Sequence, residues 1–542
     1  MPTKEINLAP ADALQEGELR TFSAQGAEVL LVLHQGQYRA LAPRCPHYGA
    51  PLEKGRVVAG QLVCPWHHAC FRVRDGHLCQ PPALDHLPHY PVRVAEGRVW
   101  VQVPARPAAT AEAPDATPTA LVGGEPPAPT AAAPDERTFV LVGAGAAGHF
   151  AAQTLRAEGF GGRIVLVTQE PTPPYDRTKL SKGYLTPEAT PGSLPLRQPS
   201  FYERHRVDVL TDTTVTGLDL DTRHLRLAGR RPLRYDALLL APGARPNQVS
   251  LPSHELPGVL ALRSVTDADA LRQAAEKAQR VVVIGGGFVG LEVAASLADG
   301  QRHITVLVRD EEPLARVLGP KIGAMFRNLH RRHGVRVRTE ATVAALEGEE
   351  RVTGVRLATG QRLPADLVLV GVGVHPATEF LAPVLELEKD GALRTDQYLA
   401  VAEHVYAAGD AALFPLPQGL GQHRVEHWRL AQQHGACAAR NMLGQQVPFA
   451  EVPFFWTQQY GKSLRYAGHA ASWDEIIYHG DVRRHNFLAL FAHQNRLVAA
   501  AAMGRDEDMV YVEALLRAGQ LPTPTAARRK LNWARLAAAL PA

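Results

Sequence analysis

The feature that most restricts how this chain can fold is a unit that occurs twice. FVLVGAGAAGHFAAQTLRAEGF spans 139–160 and RVVVIGGGFVGLEVAASLADG spans 280–300. In each, an apolar run of strand length ends in a glycine-rich turn that opens into a helical run. A second strand follows each one, RIVLVTQE at 163–170 and HITVLVRD at 303–310. Strand, turn, helix and strand in that order make a βαβ unit of a parallel sheet. A lone G-x-G-x-x-G is weak evidence. Here Gly143, Gly145 and Gly148 follow a strand and start a helix, where backbone N–H groups and the helix dipole can hold a pyrophosphate. Gly285, Gly287 and Gly290 are framed in the same way. Glu170 closes the second strand of the first unit, where a carboxylate can take both hydroxyls of a ribose.

The units occupy only part of the chain. Its 542 residues are too many for one hydrophobic core and suggest three or four domains. A net charge of +4 makes no case for a nucleic-acid partner. The longest apolar runs are strand-sized, so no membrane span is expected, and MPTKEINLAPADAL lacks a basic-then-apolar leader pattern. A cytosolic location is the expectation. Residues 105–136, rich in Pro and Ala and poor in large apolar side chains, read as a linker. Before them, short runs rich in Val and Leu alternate with Gly and Pro turns, the pattern of a small all-β domain over 1–104. From about Phe449 the pattern is strand-like again and ends in a helical tail, TAARRKLNWARLAAAL.

The all-β region contains CPHYGAPLEKGRVVAGQLVCPWHHACF, from Cys45 to Phe71, in a chain with five cysteines. Cys45 and His47 lie in one loop, Cys64 and His67 in the next, spaced C-x-H-x16-C-x-x-H. Two thiolates and two imidazoles can bind zinc or a 2Fe-2S cluster. Zinc modules usually group like ligands, whereas here each loop gives one Cys and one His. That suits a cluster with one iron held by sulfur and the other by nitrogen. Pro46, Gly49, Pro51, Pro65 and Gly76 supply the turns.

In the motifs C-P-H-Y-G-A and C-P-W-H-H-A-C-F the stretch resembles the Rieske family. The resemblance implies Cys45, His47, Cys64 and His67 as cluster ligands. Where the family commonly has Gly, this chain has His68, a neighbour and not a ligand. Respiratory members carry an extra Cys in each loop and hydroxyls that donate to the cluster sulfurs. The matching positions here are Ala50, Ala69 and Phe71, so Cys70 has no partner. Fewer donors leave the reduced cluster less stabilised and imply a low potential.

Two dinucleotide sites suggest FAD and NAD(P)H. YDALLLAPGARP (235–246) and ADLVLVGVGVHP (365–376) match the strand-to-glycine crossovers of two-dinucleotide flavoproteins, and HVYAAGD places Asp410 against a flavin ribityl chain. The first unit then takes FAD and the second NAD(P)H. With PPYDRTKLSKGYL, GGGFVGLEVA, RVEHWRLAQQHG and FFWTQQYGKSLRYAGHA, the region after the linker resembles FAD-dependent ferredoxin reductases, and more closely apoptosis-inducing-factor-like proteins with an N-terminal Rieske domain. The fold implied is multidomain: an all-β Rieske domain, an α/β flavoprotein with two dinucleotide-binding domains, and a C-terminal α+β domain. Its expected divisions are 137–263 and 380–447 for FAD, 264–379 for NAD(P)H and 448–542 for the C-terminal domain.

The resemblance implies that Arg177 and Lys182 contact FAD, that Glu292 pairs with Lys182 beside the nicotinamide, and that Trp428 and Trp456 border the isoalloxazine. A structural ion pair and core tryptophans are the plainer readings of the same residues. NAD-preferring relatives often end the second strand of the NAD unit with Glu; here the position is Val308, followed by Arg309 and Asp310. An Arg without the acid favours a 2′-phosphate, so NADH and NADPH both stay open. The activity implied is electron transfer from NAD(P)H through FAD to the cluster and on to a one-electron acceptor protein such as an oxygenase component. The oligomer expected is a monomer or homodimer. A slow redox-sensing interaction protein is the alternative. Disulfide reduction is disfavoured, because no C-x4-C follows the FAD glycines; a sirohaem-type reductase lacks the cysteines it needs. Cys79 and Cys437 have no assigned role. A coil of about 30 residues spans roughly 30 Å, enough to let the cluster domain swing.

Overall fold

The computed structural model describes residues 3–104, 135–186, 191–249 and 251–541. The expected linker lies outside them, apart from its last two residues.

Every strand pair within residues 3–104 is antiparallel. One four-stranded sheet runs Leu19–Ala24, Ala27–His34, Gln37–Leu41, His89–Tyr90, and a three-stranded sheet centres on Arg98–Pro104. The strand Ala27–His34 shows why a run such as VLLV sits here. Its side chains alternate, Leu30 and Val32 entering one core and Val29 and Leu31 another. In a smaller four-stranded sheet, Arg56–Val58, Gln61–Val63, Cys70–Arg72, Leu78–Gln80, the Cys64/His67 loop joins the two central strands, and the Cys45/His47 loop leads into the first.

The first repeated unit builds a six-stranded sheet in the order Val207–Leu210, Arg163–Val167, Thr138–Val142, Ala237–Leu240, Val405–Ala407, Ala400–Ala402. Its first five strands are parallel and buried on both faces: Phe139 and Leu141 face one core, Val140 and Val142 the other. That burial explains the unbroken apolar runs. The second unit builds a parallel sheet in the order Val259–Leu260, Leu367–Val370, Arg280–Ile284, His303–Leu307, Arg336–Arg338. It is inserted between the fourth and fifth strands of the first sheet. The two crossovers, Ala244–Pro246 and Val374–Pro376, pair with each other.

Helix Trp428–Met442 lies across helix Ala146–Ala157, with Gly435 at the crossing; a Cβ there would stand 2.1 Å from the Ala147 carbonyl oxygen. The close approach fixes the N-terminus of the later helix beside the first glycine turn. Five antiparallel strands, Phe454–Gln459, Lys462–Gly468, Arg496–Met503, Asn486–His493 and Glu475–Asp481, form the last sheet, and helix Asp506–Arg517 packs on it. The tail differs from the single helical stretch the sequence suggests. It breaks into Pro524–Ala527 and Trp533–Ala537, because Asn532 caps a new start by accepting from Arg535 N–H. Among the described residues no helix is long and apolar enough to cross a membrane.

Candidate functional site

The strand ends of the first sheet open into a cavity of about 1600 Å³. Gly143 and Gly145, Glu170, Arg177, Lys182, Asp410, Trp428 and Trp456 line it, and Glu292 and Phe288 reach it from the second unit. Gly143 has φ +101°, and Gly148 lies beneath it, where a Cβ would sit 1.9 Å from the Gly143 carbonyl oxygen. A Cβ on Gly145 would meet nothing. The outer glycines therefore shape the turn, and the middle one leaves the helix N-terminus open to an anion. Gly285 (φ +115°), Gly287 and Gly290 repeat this geometry, but they and Arg309 lie outside the cavity wall.

Around the cavity the charged groups are matched. Glu170 binds the Arg177 guanidinium and accepts from Tyr175 Oη at 2.5 Å. Each of its oxygens keeps a lone pair for a further donor. Asp410 accepts from Arg263 Nη2 at 2.6 Å. Glu292, buried, accepts from Lys182 Nζ at 2.8 Å, Ser181 Oγ at 2.5 Å and Thr457 Oγ1 at 2.6 Å. Three donors, one of them cationic, satisfy the hydrogen bonds that a buried carboxylate would otherwise lose. Arg263, Ser181 and Thr457 were missed by the sequence reading. Thr457 directly follows Trp456 in its strand; Arg263 and Ser181 carry no local signal. Burial raises Glu426, also in the wall, above the usual carboxylate range. None of the described wall residues is a cysteine.

The Cys/His loops sit on the rim. They have one backbone plan: Cys45 N–H donates to Ala50 O and Cys64 N–H to Ala69 O, both at 2.9 Å, and Gly49 and His68 N–H return to the two cysteine carbonyls. Among the described residues no three His, Cys, Asp or Glu side chains converge as ligands of one metal ion. The four side chains meet instead in like pairs. His47 Nδ1 and His67 Nδ1 are 3.1 Å apart, and the Cys45 and Cys64 thiols hydrogen-bond each other. A zinc ion needs all four on one tetrahedron, whereas a sulfur pair beside a nitrogen pair fits two irons. Burial brings His47 down to about 4 and His67 well below the usual imidazole range, which keeps both neutral with lone pairs available. Burial opposes ionisation of Cys64, but the Cys45 thiol and the N–H groups of Trp66 and His67 bring it below the usual thiol value.

Ligand loops and cavity are in contact. The His67 ring lies 4.3 Å from the Trp456 ring between centroids, and His47 lies 6.1 Å from it. Tyr48, stacked on His47 at 3.9 Å, hydrogen-bonds the Asp176 carboxylate in the segment that carries Arg177 and Lys182. One aromatic side chain is thus shared between the cavity wall and the histidine pair.

Comparison with known proteins finds matches to three regions of the chain. A family model described as pyridine nucleotide-disulphide oxidoreductase matches residues 137–435. A Rieske [2Fe-2S] domain model matches 4–91 and a reductase C-terminal model matches 454–531. Apoptosis-inducing factor 3 of Homo sapiens is 35% identical over 511 residues, covering 94% of this chain and 83% of the relative. The biphenyl dioxygenase system ferredoxin–NAD(+) reductase component of Paraburkholderia xenovorans (strain LB400) is 39% identical over 359 residues, 66% of this chain and 88% of the relative. Among solved structures, the covalent putidaredoxin reductase–putidaredoxin complex has a TM-score of 0.70 and 32% identity, covering 74% of this chain and 98% of that one.

Proposed function

The chain belongs to the pyridine nucleotide-disulphide oxidoreductase family, as a member with its own Rieske domain, and from that premise we propose that it is an NAD(P)H-dependent FAD oxidoreductase that reduces its own 2Fe-2S centre and, through it, a one-electron acceptor protein. When bound, the cofactors supply the conversion of a two-electron hydride donor into single electrons.

The residues divide the work as follows. Gly143, Gly145 and Gly148 at the N-terminus of helix Ala146–Ala157 hold the FAD pyrophosphate, with Glu170 on the ribose and Arg177 and Asp410 along the cofactor. Gly285, Gly287 and Gly290 do the same for NAD(P)H, with Arg309 at its adenosine end. The Lys182–Glu292 pair stands where the two nucleotides meet and fixes the ammonium group at that junction. Trp428 and Trp456 border the flavin ring and exclude water from it. Cys45 and Cys64 hold one iron, His47 and His67 the other. Ala69 and Phe71, which bring no hydroxyl to the cluster, support a potential near the lower end of the Rieske range, about −150 mV.

The sheets support the division of the chain into a Rieske domain (1–104), a split FAD domain (137–263 and 380–447), an NAD(P)H domain (264–379) and a C-terminal domain (448–542). The reductase component of a biphenyl dioxygenase system among the relatives supports an oxygenase component as the acceptor. Cys70, Cys79 and Cys437, none of them in a disulfide, support a reducing compartment such as the cytosol.

The observation that carries this reading is the His67–Trp456 contact, which joins the cluster ligands to the flavin cavity through one ring. Replacing His67 tests it. His67→Ala is expected to abolish cytochrome c reduction by NAD(P)H while ferricyanide reduction, taken from the flavin, continues at the parent rate. Retention of the cluster in that variant would overturn the ligand assignment.

A further inference from the structure

We infer that the Rieske domain is permanently seated on the reductase by a buried polar clamp in which His68 engages Glu513, itself held by Arg429 and Arg517, so that the cluster does not swing between donor and acceptor. The inference rests on the electron relay proposed above and adds where the relay is assembled.

His68 marks the clamp by its backbone. The two ligand loops share one plan, and in it His68 stands where the first loop has Gly49. Gly49 has φ +74° and His68 φ +55°, the left-handed region that a residue with a Cβ adopts at a cost. The second loop therefore carries backbone strain that a glycine would avoid, and its side chain must recover it. That side chain is fully buried, with Nδ1 2.5 Å from Glu513 Oε2 and its ring 4.6 Å from Phe454. Glu513 Oε1 takes Arg429 Nη1 at 2.8 Å and Arg517 Nη2 at 2.9 Å, and the Arg429 guanidinium also lies on Phe454, 4.9 Å away. Both Glu513 and Arg429 are buried.

The rest of the interface has the same character. Arg197 forks onto the Asp85 carboxylate at 2.9 and 2.6 Å, and Arg465 donates to Pro65 O and Trp66 O, both at 2.9 Å. Val58, Val63 and Cys70 of the Rieske domain belong to one apolar core with Phe454, Leu488 and Leu515 of the C-terminal domain. A contact that opens and closes at each turnover uses a small, wet surface. Opening this one would strip a shared core and leave paired charges without partners. The face around Trp456 is thereby occupied by the chain itself, and an outside acceptor meets the Rieske domain and not the flavin edge.

Cleavage tests this directly. A protease site placed within 105–134 lets the holoenzyme be cut between the domains. The cut protein is expected to elute as one species carrying both visible chromophores and to reduce its cluster with NAD(P)H at the uncut rate, independent of dilution. Glu513→Ala should weaken the association of the cut halves by about 10-fold or more, the scale of one hydrogen bond to a charged group, making cluster reduction fall on dilution, while ferricyanide reduction persists. His68→Asn, which accepts a left-handed backbone and keeps a hydrogen-bonding side chain, should hold the halves together; His68→Gly should not. Separation of the cut parent protein, or dilution-dependent reduction of its cluster, would overturn the seat. A cut protein that stays whole but never reduces its cluster would uphold the seat and overturn the relay.

Discussion

Val308 and Arg309 bear on the coenzyme more directly than the glycines before them. Val308 is 3% exposed, and its methyl carbons fill the space against Gly286, where a Cβ would lie 2.8 Å from one of them. An aliphatic group thus occupies the position from which an acid would take a 2′-hydroxyl. The nearby Asp310 is committed to Arg316 Nη2 at 2.6 Å, and Arg309 is exposed at the strand end. Arg309→Glu should then lower kcat/KM for NADPH by about 10-fold or more, the scale of one charge-assisted contact, and leave NADH use equal or improved. Steady-state kinetics with both coenzymes read this, and an unchanged NADPH/NADH ratio would remove Arg309 from coenzyme selection. Other residues of the site were hidden for a reason of distance. Asp410 could be read from HVYAAGD, but its partner Arg263 lies 147 positions earlier, and no local pattern joins them.

At the level of elements, the periodic and glycine-punctuated segments were legible. Both βαβ units, the two crossovers and the all-β start follow from runs of apolar residues and the turns between them. Helix Asp506–Arg517 was not recognised, although Gly504 and Gly519 flank it and Asp506, Glu507 and Asp508 stand in its first turn; the strand-like runs before it drew the whole region into one strand pattern. The helices also hold a set of neutral histidines. Burial pushes His149 in helix Ala146–Ala157 and His434 in helix Trp428–Met442 down to about 3, and His330 in helix Pro320–Arg332 down to about 4. In the unfolded chain each takes a proton near the ordinary histidine value of about 6.5. The unfolded state thus binds more protons between about pH 6.5 and these lowered values. Stability is full above that window and falls as pH drops through it, by up to about 1.4 kcal/mol per unit for each histidine. Thermal unfolding of the holoenzyme should shift to clearly lower temperature between pH 7 and pH 5. An unchanged midpoint would mean that these histidines are protonated in the folded protein.

At the level of the whole molecule, the sequence supplied the parts and a flexible-looking connection, from which a swinging domain was a fair expectation. It could not supply the docking. His68 and Glu513 stand 445 positions apart, and a histidine beside a ligand gives no sign of what covers it. The seated arrangement turns separate expectations into one relay: a cavity with paired Lys182 and Glu292 at one end, Trp456 in its wall, and the histidine pair against the other side of that ring. Such a relay requires that reducing equivalents entering at the nicotinamide site reach the iron within one chain. An anaerobic titration of the holoenzyme with NADH and with NADPH, followed by visible absorption and EPR, measures this most directly. Bleaching of the flavin together with a rhombic Rieske signal, its yield per chain independent of protein concentration, is the predicted result. A flavin that bleaches while no such signal appears would contradict it.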